Sequence, residues 1–219
     1  MTPEATLVEA IRAPRPDIHL DEFAGLVGVV FDPSGTVDEV RSLLDSLAAR
    51  CNPDFRSVLA LFGTGGLVGN TANYSDPRNS YLHQVLRRRL GIPITLSVCA
   101  IEVGRRVGLD VQGVGLPGHF VVRCGGVYAD PFRGSSPFAG EELEFRWRAN
   151  TGSTMPLDPR FLATVSDRAI VLRMLNNLKQ TFLSSGEQRL LAPLARIRSA
   201  FTELRPEQAE HRQWMRHWN

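Results

Sequence analysis

The stretch from Asn73 to Phe132 constrains this chain most: NYSDPRNSYLHQVLRRRLGIPITLSVCAIEVGRRVGLDVQGVGLPGHFVVRCGGVYADPF. Its spacing predicts two helices and then two short strands. Asp76-Pro77 starts the first helix, Asn79 and Ser80 lie in its first turn, and Tyr81, Leu82, Val85, Leu86 and Leu90 share one face. Gly91 is its expected stop. Pro93 opens the second, with Thr95 or Ser97 as cap. Leu96, Val98, Ala100, Ile101, Val103 and Val107 make that helix apolar around much of its girth, which marks a central, buried element ending at Gly108. His119 to Cys124 alternates as a strand, Gly125-Gly126 signals a hairpin, and Val127 to Asp130 returns.

A lone His and a lone Asp thus sit on neighbouring strands after a buried helix. That order suits a nucleophile at a helix start, a base on one strand and an orienting carboxylate on the next. His119 is the candidate base, and Asp130 is expected to hydrogen-bond it and fix its tautomer. A helix start suits a nucleophile because its dipole and free N–H groups favour a thiolate and bind an oxyanion. Ser97 and Cys99 are the candidates, about 200° apart round a helix, so they cannot both face His119. Cys99, among Val98, Ala100 and Ile101, reads as a buried thiol. Ser97 reads either as a serine activated by His119 or as a cap or packing residue.

Around this centre the chain reads as helical. Ala5 to Ile11 makes a short helix stopped by Pro14 and Pro16, and Asp21 to Val29 a second. Thr36, with Glu39 at the third helical position, caps a helix burying Val40, Leu43, Leu44 and Leu47. GTGGLVGN at 63–70 lacks the Gly-Lys-Ser/Thr ending of a phosphate loop and reads as a close-packed turn. Glu141 to Arg148 forms an edge strand or a short helix, and the loop-rich Asn150 to Pro159 separates a domain at 1–150 from a tail at 151–219. Ile170, Leu172, Leu175, Leu178 and Phe182 or Leu183, then Leu190, Leu191, Leu194, Ile197 and Phe201, predict a helical hairpin. Arg205-Pro206 opens a polar stretch ending in Trp214 and Trp218.

Composition narrows the function. A 43% apolar and 22% charged chain of net charge +2 is globular, with no call for nucleic acid or a membrane surface. Arg87, Arg88 and Arg89 point in different directions on a helix and read as a solvated face. No apolar run approaches the ~20 residues that span a bilayer, and the first residues show no basic-then-apolar leader. Three cysteines, odd in number and without metal spacing, predict free thiols in a reducing cytoplasm, with neither metal nor cofactor. Glu102 is either paired, with Arg88 or Arg106 and by preference so, or solvent-facing on one edge, and Asp76, Asn79 and Arg88 are expected to tie the two helices together.

Asp76-Pro77 with Asn79-Ser80, Gly91-Ile92-Pro93, Leu96-Ser97, Pro117-Gly118-His119-Phe120 and Asp130-Pro131-Phe132 together resemble the SirB1 family, a transglutaminase-like group. The likeness covers roughly residues 20–150, and the hairpin at 166–203 is similar to the tetratricopeptide-like tail that often follows. The resemblance implies an α+β, papain-like fold with a helical N-terminal layer. In active members a Cys at the start of the central helix attacks an amide or ester carbonyl, with a His and an Asp behind it. His119 and Asp130 fall on the His and Asp positions, and the helix start falls near Ser97 if the helix is a turn shorter. The function implied is acyl transfer or amide hydrolysis on a protein or small-molecule substrate. The alternative is a non-catalytic binding module that has lost the nucleophile, with the C-terminal helices as a partner surface.

Overall fold

The structure, a computed structural model, describes residues 1–13, 19–134 and 136–204. The sequence-predicted stops Pro14 and Pro16, and the tail from Arg205 through Trp218, lie outside the described residues.

Helices α1 (Pro3–Arg12), α2 (Leu20–Phe31) and α3 (Val37–Ala48) form the N-terminal layer. The Thr36 hydroxyl accepts from the Glu39 amide at 3.1 Å, as the capping pattern predicts. A short α4 (Phe55–Leu59) leads into the glycine-rich turn and strand β1 (Val68–Gly69). The first helix of the central stretch is split: Pro77–Ser80 is a 3₁₀ turn, and α5 runs from Leu82 to Arg88. It ends on Arg89, in the left-handed region at φ 57°, and not on Gly91. Leu90–Gly91 instead forms β2, paired in parallel with β1.

Helix α6 (Pro93–Arg106) is the central element, and residues Pro93 through Gly104 are all buried. Pro93 occupies its first position, where a missing N–H costs nothing. The Thr95 hydroxyl accepts from the Ile92 amide at 3.1 Å and donates to the Asn79 carbonyl at 2.8 Å. Thr95 therefore closes the helix end, and Ser97 lies a full turn inside it.

The main sheet is antiparallel, ordered β5 (Val127–Ala129), β4 (His119–Cys124), β3 (Val111–Leu116), β6 (Thr164–Val165). Leu116 pairs with His119, so Pro117-Gly118 makes the turn. Gly118 has φ 68°, the positive value a type II turn requires after proline. Residues 140–151 form a helix, α7 (Gly140–Thr151), which decides between the strand and helix readings of that segment. Helices α8 (Asp167–Ser184) and α9 (Leu191–Arg198) follow, and Ile170, Met174, Leu175, Phe182 and Phe201 join the same core as α2, α3 and α6.

Polar side chains staple the layers. Asn79 donates to the Asn73 and Tyr74 carbonyls and accepts from Asn70. Arg88 pairs with Asp76 at 3.1 Å and Arg87 with Glu39 at 2.6 Å, so this arginine run is tied down and not merely solvated. Glu102 pairs with Arg105 at 2.8 Å and Arg106 at 2.7 Å. Asp32 binds the buried His83 ring at 3.1 Å and Gln84 at 2.7 Å. Burial pushes the Asp32 carboxyl up, but hydrogen bonds from Ser34, Gln84 and His83 outweigh it and hold it at about 2. A carboxylate held below its unfolded value stabilises the fold above that value and loses the contribution as pH falls through the folded one. Urea unfolding of Asp32→Asn should therefore show a deficit against the parent near neutral pH that closes between the ordinary 3.8 and about 2. A gap constant across that window would contradict the assignment.

Candidate active site

The sheet is apolar on both faces, and its alternation decides where the site opens. Phe120, Val122 and Ala129 join the main core with α6. Val121, Tyr128, Val114 and Leu116 join a second cluster with Phe138, Leu143 and Trp147 beneath α7. His119 shares the parity of Val121, and Asp130 that of Tyr128. Both line a cavity of about 240 Å³ on the α7 side, walled by Leu116, Val121, Phe138, Leu143 and Trp147.

His119 and Asp130 meet as the sequence predicts. The His119 Nε2 lies 2.6 Å from Asp130 Oδ2, and both residues are buried. The other Asp130 oxygen accepts from the Phe132 and Arg133 amides at 3.0 and 3.2 Å, and Asn150 approaches Oδ2 at 3.4 Å. A carboxylate accepts, so Nε2 carries the ring proton in the neutral tautomer and the lone pair lies on Nδ1. Among the described residues the ring's hydrogen bond is the one through Nε2.

The backbone under this ring is held from a distance. The Arg173 guanidinium, on α8, donates to the carbonyls of Leu116 and His119, the latter at 2.7 Å, across the mouth of the turn. It also lies 5.4 Å from the centre of the Phe120 ring. Trp147 donates to the Pro117 carbonyl at 2.8 Å, which fixes α7 to the same turn. Phe132 packs edge-on to the His119 ring with centroids 6.3 Å apart. Gly69 makes room for it, since a Cβ there would sit 2.6 Å from the Phe132 ring and carbonyl. Sequence reasoning missed Arg173, Trp147 and Asn150. Its only trace of Arg173 is a cation breaking the apolar spacing of Ile170, Leu172 and Leu175.

The two nucleophile candidates stand elsewhere. The Ser97 hydroxyl is fully buried and has no hydrogen-bond partner among the described residues, so it is not bonded to His119. Cys99 is fully buried, and burial, with the nearby Glu102 charge, pushes its thiol up to about 12. Neither lines the cavity. The first turn of α6 presents Pro93, Ile94 and the engaged Thr95. Iodoacetamide at mildly alkaline pH should leave Cys99 unmodified in the folded protein and label it once denatured, because only the thiolate reacts. Peptide mapping reads this, and rapid labelling of native Cys99 would contradict the burial.

No group of three or more His, Cys, Asp or Glu side chains among the described residues is placed to hold a metal. No helix of the described residues is long and apolar enough to cross a membrane.

The sequence profile of the Transglutaminase-like superfamily matches residues 36–176, more than half the chain, and the chain belongs to that superfamily. Among its relatives is a UPF0162 protein of Xylella fastidiosa (strain 9a5c), 45% identical over 134 residues, which are 58% of this chain and 47% of that protein. A UPF0162 protein of Vibrio cholerae is 30% identical over 135 residues, 59% of this chain and 50% of that protein. F-box only protein 21 of Homo sapiens is 29% identical over 122 residues, 50% of this chain and 18% of that protein. The chain thus spans about half the length, or less, of these relatives. No solved structure matches it.

Proposed function

We propose that the protein hydrolyses or transfers acyl groups of small amide or ester substrates, with His119 as general base and Asp130 as its orienting partner. One observation carries this reading: Asp130 holds the His119 ring through Nε2 at 2.6 Å on the border of an apolar cavity, and a neutral ring so held has its lone pair on Nδ1. The base acts directly on water or on a substrate nucleophile, without a covalent enzyme intermediate. In hydrolysis Nδ1 takes a proton as the water oxygen bonds the carbonyl carbon. The C–N or C–O bond then breaks, and the proton passes to the leaving amine or alcohol. Ser97 and Cys99 serve packing in this scheme, since burial denies both a substrate.

Turnover of a panel of N-acyl and O-acyl substrates tests the reading, with intact mass measured on samples quenched in mid-reaction. Turnover with an unmodified protein mass is expected. An acyl adduct on Ser97 or Cys99 would overturn the non-covalent scheme, and no turnover anywhere in the panel would overturn the catalytic one.

The five motifs from Asp76-Pro77 to Asp130-Pro131-Phe132 support the narrower assignment to the SirB1 family. The α8–α9 pair is then its tetratricopeptide-like tail. Three free cysteines favour a reducing, cytoplasmic setting.

A further inference from the structure

The walls of the cavity specify more than a reaction type. Its floor is branched and aromatic: Leu116, Val121, Phe138, Leu143 and Trp147. Phe145, 76% exposed, extends this apolar surface to the rim. A volume of about 240 Å³ holds one side-chain-sized group, below the usual span of roughly 300–1,000 Å³ for drug-sized sites.

Charge at the rim is one-sided. Two arginines border the cavity, Arg133 and Arg146. Arg146 is already paired with Glu142 at 2.8 Å and lies 4.4 Å from the centre of the Phe138 ring. Arg133 has no carboxylate partner among the described residues, although its position is fixed. Its amide donates to Asp130 at 3.2 Å, and its guanidinium carbon lies 5.7 Å from the Phe132 ring centre. The one carboxylate among the described residues that line the cavity, Asp130, is engaged by His119 and by the Phe132 and Arg133 amides. Among the described residues, a ligand therefore meets an apolar floor, the His119 ring and one guanidinium without a counter-ion.

Resting on the acyl-chemistry reading above, we infer that the site takes N-acyl derivatives of apolar α-amino acids as free carboxylates. An α-amino acid carries a side chain, a carboxylate and an acylated nitrogen on one carbon. Those three groups fit three neighbouring walls of a small cavity. The side chain enters the floor, the carboxylate meets the Arg133 fork, and the acyl carbonyl lies by His119.

Calorimetric titration of the full chain tests this with three probes: N-acetyl-L-phenylalanine, its neutral amide, and N-acetylglycine. The first should bind at least about tenfold more tightly than either of the others. The advantage of the acid over the amide should vanish in Arg133→Gln, an exposed position whose replacement leaves the fold intact by melting temperature. The inference is overturned if the amide binds as well as the acid, if Arg133→Gln keeps the preference, or if no probe binds up to roughly 10 mM. Acetate release from the same samples separates this inference from the catalytic reading. Selective binding without release sinks only the catalysis. Release from acid and amide alike sinks only the specificity.

Discussion

Replacing Phe120 by alanine is expected to remove about 3–5 kcal/mol of folding stability. The ring is 1% exposed and joins the core shared by the sheet, α6 and α8. It lies over Gly113, where a Cβ would sit 2.8 Å from it and 3.1 Å from Ile170. Neighbouring backbone cannot collapse into the space a removed ring would leave, so the cavity cost adds to the lost transfer energy. Urea denaturation should show a lower midpoint with an unchanged slope. A loss under about 1 kcal/mol would mean that this face of the sheet is not packed as described.

Arg173→Met should cost about 3 kcal/mol and also disturb the site. The guanidinium supplies charge-assisted bonds to the Leu116 and His119 carbonyls, worth roughly 1.5–3 kcal/mol each, offset by relief of its own burial. Methionine keeps most of the volume over Phe120 and leaves two carbonyls at the turn without this donor. The predicted signature beyond stability is a changed His119 ring resonance and a lower turnover number with little change in KM. A purely structural Arg173 would lower the denaturation midpoint and leave both readouts where they were. Because Arg173 touches Phe120, the two substitutions should not add.

How much of this was legible in the sequence depended on how local each cause is. The Thr36 cap and the Gly125-Gly126 turn are written in adjacent residues and form as the pattern predicts. The His119–Asp130 pair was legible because one hairpin brings the two together. Pro93 opens α6 as the spacing predicts, and of the two candidate caps, Thr95 and Ser97, only the first lies in the opening turn. Packing against Asn79 gives the role to Thr95. Gly91 looked like a helix stop, but it pairs with Gly69, and a Cβ there would sit 2.9 Å from both Leu96 and Thr95. Two-residue strands such as β1 and β2 leave no periodicity to read. The face on which the site opens was not legible at all. Phe120, Val121 and Val122 are all apolar, so a strand buried on both sides hides its own orientation.

The central claim is that the imidazole of His119, held through Nε2 by Asp130, is the base that the chemistry needs. Its most direct test is kcat/KM for the best acyl substrate in the parent and in His119→Gln, with folding checked by circular dichroism. Loss of the base should lower the rate by roughly 10²–10⁴-fold at unchanged fold. A His119→Gln protein that turns over within a few-fold of the parent would contradict the account.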